Sequence, residues 1–152
     1  MIIIKIPKKF KRINQETYNK FVNYKIFHLI LPLIGFDCFT IHGHYTRKVI
    51  GLSGDYEELI VTRIRVANET HAVLLSPMIP YQHCTYDDII SISIEDVIPA
   101  DCPIVTEMIR SFIMHKFSSV KKDYESICST IIKPYFVELS TQVIGNLPFF
   151  TL

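Results

Sequence analysis

Cysteine and histidine in the stretch CFTIHGH, residues 38–44, are the residue types that hold metal ions or carry nucleophilic chemistry. A tyrosine and a basic pair, Tyr45, Arg47 and Lys48, follow at once. Cys38 and His42 stand at a Cys-x3-His spacing that can serve zinc from a turn. His44, His71, His83 and Cys84 supply further nitrogen and sulfur donors that would complete a tetrahedron. On a strand, however, positions 38, 42 and 44 fall on one face at different heights and do not converge as knuckle ligands do. The same residues also fit a basic strand that touches phosphate, or an ordinary hairpin with half-buried, hydrogen-bonded side chains.

Other chemistry is weaker still. A cysteine nucleophile needs its thiolate beside a base and donors for an oxyanion. The best-placed thiol, Cys102, precedes Pro103 at a predicted helix start, where the dipole favours a thiolate, but no such partners are local to it. Asp87, Asp88, Glu95 and Asp96 share one predicted helix, whereas a two-metal nuclease gathers its acids on a large α/β sheet. They read as helix N-terminal charge and a solvated face. The chain contains no phosphate-binding glycine loop, dinucleotide fingerprint or His-Glu-x-x-His motif. No catalytic residue, metal or cofactor is therefore expected.

The basic residues are grouped. Lys8, Lys9, Lys11 and Arg12 form an N-terminal arm, and Arg47, Lys48, Arg63 and Arg65 lie on predicted adjacent strands. Lys116, Lys121 and Lys122 lie in the C-terminal helical region. Such groups supply phosphate affinity without sequence choice, although Glu57 and Glu58 offset part of the strand charge. Over the whole chain 16 basic residues face 15 acidic ones, and the segment 85–107 holds only acids.

The elements that must position these groups follow from periodicity. MIIIK predicts a short strand that runs into a basic turn. In residues 14–29, Tyr18, Phe21, Val22 and Leu29 recur at helical spacing behind Asn14 as N-cap. From Cys38 to Leu75 the period becomes two. Strands are expected over 44–50, 56–66 and 70–75, with turns at 52–55 and 67–69. Pro77 and Pro80 end the sheet region. Helices are expected from Tyr86 to about Val97, opened by Thr85 and Asp88, then from Pro103 to Phe117, then over 120–132 and in the tail FVELSTQVIG.

A chain of 152 residues can bury about 70% of its unfolded surface and needs no staples. Its four scattered cysteines form no Cys-x-x-Cys pair, which fits reduced thiols rather than a disulfide framework. The longest apolar run, residues 26–36, is broken by His28 and Pro32 and falls short of the roughly 30 Å of a bilayer core. No small-residue cleavage site follows it. The expected location is cytoplasmic, with no membrane partner.

One ordered set of residues resembles a known family. Pro32, Gly35, His42-Gly43-x-Tyr45-x-Arg47, Arg63-x-Arg65, Thr70 to Leu74 and Pro80-Tyr81 resemble a zinc-ribbon domain of uncharacterised function. That domain is found at the start of bacterial insertion-sequence transposases and in related short proteins. The likeness spans about residues 31–90. It departs at the metal, because Leu31, Ile34 and Val66 stand where family members carry zinc thiols. A structural zinc contributes on the order of 10 kcal/mol, and each buried aliphatic side chain only about 1.5 to 3 kcal/mol. Flanking apolar segments must then pack on the sheet in its place.

The expectation is an α+β chain. A basic arm and helix occupy 1–30, a three-stranded antiparallel zinc-ribbon-like sheet 31–82, and a helical segment 83–152, packed as one unit. The resemblance implies a non-catalytic, DNA-binding accessory role that uses the basic groups above. The alternative is a protein-interaction or structural remnant, with a second copy of the chain among its partners.

Overall fold

The computed structural model describes residues 1–10, 13–50, 56–76, 78–83, 85–87, 107, 111 and 123–139. The chain is α+β. Its strands are β1 (Ile2–Lys5), β2 (Thr40–Ile50), β3 (Tyr56–Val66), β4 (Glu69–Leu75) and β5 (Tyr135–Glu138), and its helices are α1 (Gln15–Phe21), α2 (Tyr24–Ile30) and α3 (Tyr124–Ile131). A 3-10 turn, Leu31–Ile34, extends α2.

The sheet has five strands in the order β2-β3-β4-β1-β5, not three. Strands β3 and β4 are antiparallel, whereas β1 pairs in parallel with both β4 and β5. The three strands expected over 44–75 are therefore neighbours at one side of a larger mixed sheet. The two additional strands come from the N-terminal arm and from the tail.

The contacts divide the chain into two units. One comprises Met1–Tyr45, Ile60–Ser76 and Tyr135–Leu152, and the other Thr46–Leu59 and Pro77–Pro134.

In the first unit β1 is an interior strand, between β4 and β5. Ile2, Ile3 and Ile4 are all fully buried, the unbroken apolar run typical of a strand covered on both faces. Helix α1 starts at Asn14, whose side chain accepts from Thr17 N at 2.8 Å, and α2 at Asn23, which accepts from Ile26 N at 3.2 Å. These caps split the single expected helix into two short ones. Tyr18, Phe21, Ile26, Phe27 and Ile30 form their buried side. Gly35, at φ 85°, closes the 3-10 turn, with Phe36 N donating to Leu31 O at 2.9 Å. A side chain there would meet the left-handed penalty.

Two side chains of α1 act as a substitute strand. The β3–β4 register runs from Val66↔Glu69 to Arg63↔Ala72, after which β4 continues beside β1 from Val73. At that point the buried Tyr18 hydroxyl donates to Val73 O at 2.7 Å and accepts from Thr62 N at 2.9 Å. Gln15 Oε1 accepts from Ile60 N at 2.7 Å, and its Nε2 donates to Ile60 O at 3.2 Å. The backbone groups of β3 that leave β4 are thereby satisfied.

In the second unit Arg47 is only 9% exposed, and its guanidinium donates to the carbonyls of Ile79 and Gln82. Ile50 N donates to His83 O at 2.8 Å. Helix α3 begins at Asp123, whose carboxylate accepts from Ser126 N at 2.9 Å, and buries Ile127 and Cys128. The Tyr124 hydroxyl donates to Met78 O at 2.9 Å.

Two further expectations change. The tail expected as helix opens instead with β5, whose Val137 is buried, and Tyr135 N donates to Met1 O at 3.0 Å. The rest of that tail helix lies outside the described residues. Of the two middle helices, Tyr86, Asp87, Glu107 and Ser111 are helical, and the remainder of both also lies outside them.

Candidate functional site

The residues proposed for phosphate contact do not share one environment. Lys8 and Lys9 are exposed, with Lys9 Nζ 5.2 Å from the Phe10 ring centre. Arg65 is exposed near the β3–β4 turn. Arg63 is half-buried and lies over the Tyr45 ring at 5.2 Å, a cation-π contact. Lys48 is exposed. Arg47, expected among the phosphate contacts, is instead buried and held by two carbonyls, so it is part of the scaffold. Lys11, Arg12, Lys116, Lys121 and Lys122 lie outside the described residues.

The metal-ligand candidates are also dispersed. Cys38 is exposed and precedes β2. His42 and His44 are exposed on β2 at alternate positions, and His44 Nδ1 lies 3.3 Å from Thr62 Oγ1. His83 is exposed, with Nδ1 3.0 Å from Lys48 O. Cys84 lies outside the described residues. No group of three or more metal-binding side chains occurs among the described residues. At the positions where the resemblance places thiols, Leu31 and Val66 are buried and Ile34 is half-buried. Aliphatic groups cannot ligate zinc, so these three positions do not fit the metal that the resemblance implies.

No family model, curated protein or solved structure matches this chain.

His71 is the most enclosed histidine described, at 5% exposure. Its ring packs edge-on to Tyr135 at 5.8 Å and lies 6.1 Å from Phe36. Nδ1 is 2.9 Å from the Met1 amine, and Glu69 Oε2 lies 3.5 Å from Nε2. The carboxylate is an electrostatic neighbour rather than a hydrogen-bond partner, since Nε2 makes no hydrogen bond. Burial lowers the imidazole pKa, the Met1 amine lowers it further, and Glu69 opposes both. The ring is a neutral core group.

The second unit holds a thiol and phenol pair. Burial pushes the Cys128 thiol up to about 11 and raises the Tyr124 phenol as well. A thiol so raised is a poor nucleophile near neutrality.

Sequence reasoning overlooked the outer side of α2 and the turn after it. While Ile26, Phe27 and Ile30 face inward, Tyr24 is 59% exposed, Leu29 45% and Leu33 71%. The Phe39 ring centre is 5.2 Å from Tyr24, His28 and Phe27 alike, which joins part of this surface into one aromatic group. The signal was present, since the run from Tyr24 to Leu33 has more apolar residues than one buried stripe can use. No helix among the described residues is long and apolar enough to cross a membrane.

Proposed function

We propose that this chain is a non-catalytic interaction module that binds a protein partner through the outer side of α2 and the 3-10 turn. The observation that carries the reading is the exposed succession Tyr24, Leu29 and Leu33 beside the Phe39 aromatic group. Burying each of these side chains releases about 1.5 to 3 kcal/mol, so a surface that leaves them in water gains by being covered. The first partner to test is a second copy of the chain. Sedimentation over a range of concentrations should show self-association that Leu29→Ser with Leu33→Ser abolishes and Lys8→Ala with Lys9→Ala leaves intact. A wild-type mass that stays monomeric at high concentration counts against self-association.

A second reading, nucleic-acid binding by a transposase-related accessory domain, is favoured by the exposure of Lys8, Lys9 and Arg65. It is weakened because Arg47 is occupied inside the fold. Duplex DNA binding that falls steeply with salt, and that Lys8→Ala, Lys9→Ala and Arg65→Ala together remove, would establish it. No binding at low salt would dismiss it.

A further inference from the structure

Neither proposed function uses His42 or His44 of the His42-Gly43-His44 motif. Both imidazoles are exposed, and the alternation of exposed and half-buried residues along β2 continues through Gly43. They therefore lie on one face of an edge strand, since β2 is the first strand of the sheet. Alternate residues on a strand are separated by about 6.6 to 6.8 Å along its axis. Two imidazoles at that spacing can lean together to bind one ion at about 2.0 to 2.1 Å from each nitrogen.

The His44 ring is already oriented. Its Nδ1 lies 3.3 Å from Thr62 Oγ1 on the neighbouring strand. With Nδ1 protonated and donating to that oxygen, the free lone pair is on Nε2, at the far side of the ring. Holding one ring nitrogen by a hydrogen bond while the other ligates is how proteins fix the tautomer and direction of a metal-binding histidine.

We propose that His42 and His44 form a two-imidazole chelate for a borderline transition-metal ion, such as Ni(II), Cu(II) or Zn(II), with solvent completing the coordination. Imidazole suits these ions. The site differs from a zinc-ribbon knuckle in every ligand, and it lies on the strand face rather than at the end of a hairpin. It has two protein ligands, so it binds an exchangeable ion rather than a structural one.

The test is Ni(II) titration by calorimetry on the full chain carrying Cys38→Ser, which removes the exposed thiol as a competing donor. One ion per chain is expected. His42→Gln and His44→Gln should each weaken it at least tenfold, because each turns a chelate into a single contact. Thr62→Val should weaken it by about tenfold, and Thr62→Ser should restore it, a rescue that a purely packing role for Thr62 would not produce. His28→Gln and His83→Gln should leave the affinity unchanged. Circular dichroism of each variant establishes that the sheet has formed. Unchanged Ni(II) affinity in folded His42→Gln or His44→Gln would overturn the assignment, as would loss of binding in the His83→Gln control.

Discussion

Several single side chains in this protein complete backbone hydrogen bonding that the sheet itself leaves open, and Tyr18 is the clearest. Its hydroxyl stands between Thr62 N and Val73 O, where two strands part company. Tyr18→Phe keeps the ring and deletes only that oxygen. A half-buried donor and a buried acceptor then lose their partner, at about 1 to 3 kcal/mol each. Chemical denaturation should show a loss of about 2 to 4 kcal/mol with the fold retained. A loss under about 0.5 kcal/mol would mean that water replaces the hydroxyl and that the inserted link is not needed. Arg47 makes the same point with a charge. Its guanidinium serves the Ile79 and Gln82 carbonyls, so Arg47→Met should destabilise the chain by about 2 to 4 kcal/mol, again because acceptors and a buried site lose their donor. The substitution should leave any salt-sensitive DNA binding at its original strength per folded molecule. A selective loss of DNA binding without a stability change would return Arg47 to the phosphate-contact set.

Among the elements, the β3–β4 hairpin is where local sequence and local geometry conflict. Ala67 and Asn68 both have positive φ, 47° and 66°, as a two-residue primed turn between Val66 and Glu69 requires. Asparagine tolerates that region, but alanine does not do so readily. Ala67→Gly should raise stability by about 0.5 to 1 kcal/mol, the left-handed penalty relieved less the extra chain entropy of glycine. A fall in stability on thermal melting would show that the turn has another geometry. What could be read in advance follows the same division between local and distant. The alternation in 56–66 and the turn at Ala67 and Asn68 are short-range patterns, and strands β3 and β4 appear where the period of two predicts them, whereas β2 starts at Thr40, ahead of the expected 44–50. MIIIK was readable as a strand. Its interior, parallel place between β4 and β5 was not, because pairing with Val73 and Tyr135 is set by contacts about 70 and 130 residues away in sequence. Strand β5 has four residues, too few for periodicity to separate it from a helical stripe. At the candidate sites, exposure of Lys8, Lys9, His42 and His44 agrees with their polarity. Burial of Arg47 and His71 was invisible, since the carbonyls and rings that receive them lie on other elements.

At the scale of the whole molecule, the titrating groups that resist ionisation lie in different units and limit stability from opposite sides of neutral pH. In the first unit His71 is held neutral by burial, so its folded pKa lies below the ordinary 6.5. The unfolded chain takes up the proton first as pH falls. The stability due to the neutral ring is therefore complete above about pH 6.5 and lost progressively below it. In the second unit the order is reversed, because the Cys128 thiol is raised from the ordinary 9.0 to about 11. The folded chain keeps a proton that the unfolded chain releases, so stability is complete below pH 9 and falls between 9 and about 11, at no more than about 1.4 kcal/mol per pH unit. The raised Tyr124 phenol adds a loss of the same sign above its ordinary 10.0. Denaturant unfolding from pH 5 to pH 11 should thus give a dome. His71→Gln should flatten its acid flank without altering the alkaline one, and Cys128→Ala should do the converse while lowering the whole curve through the cavity it leaves. If both variants kept the wild-type profile, the flanks would belong to the many surface carboxylates and lysines, and neither enclosed group would set the pH limits of the fold.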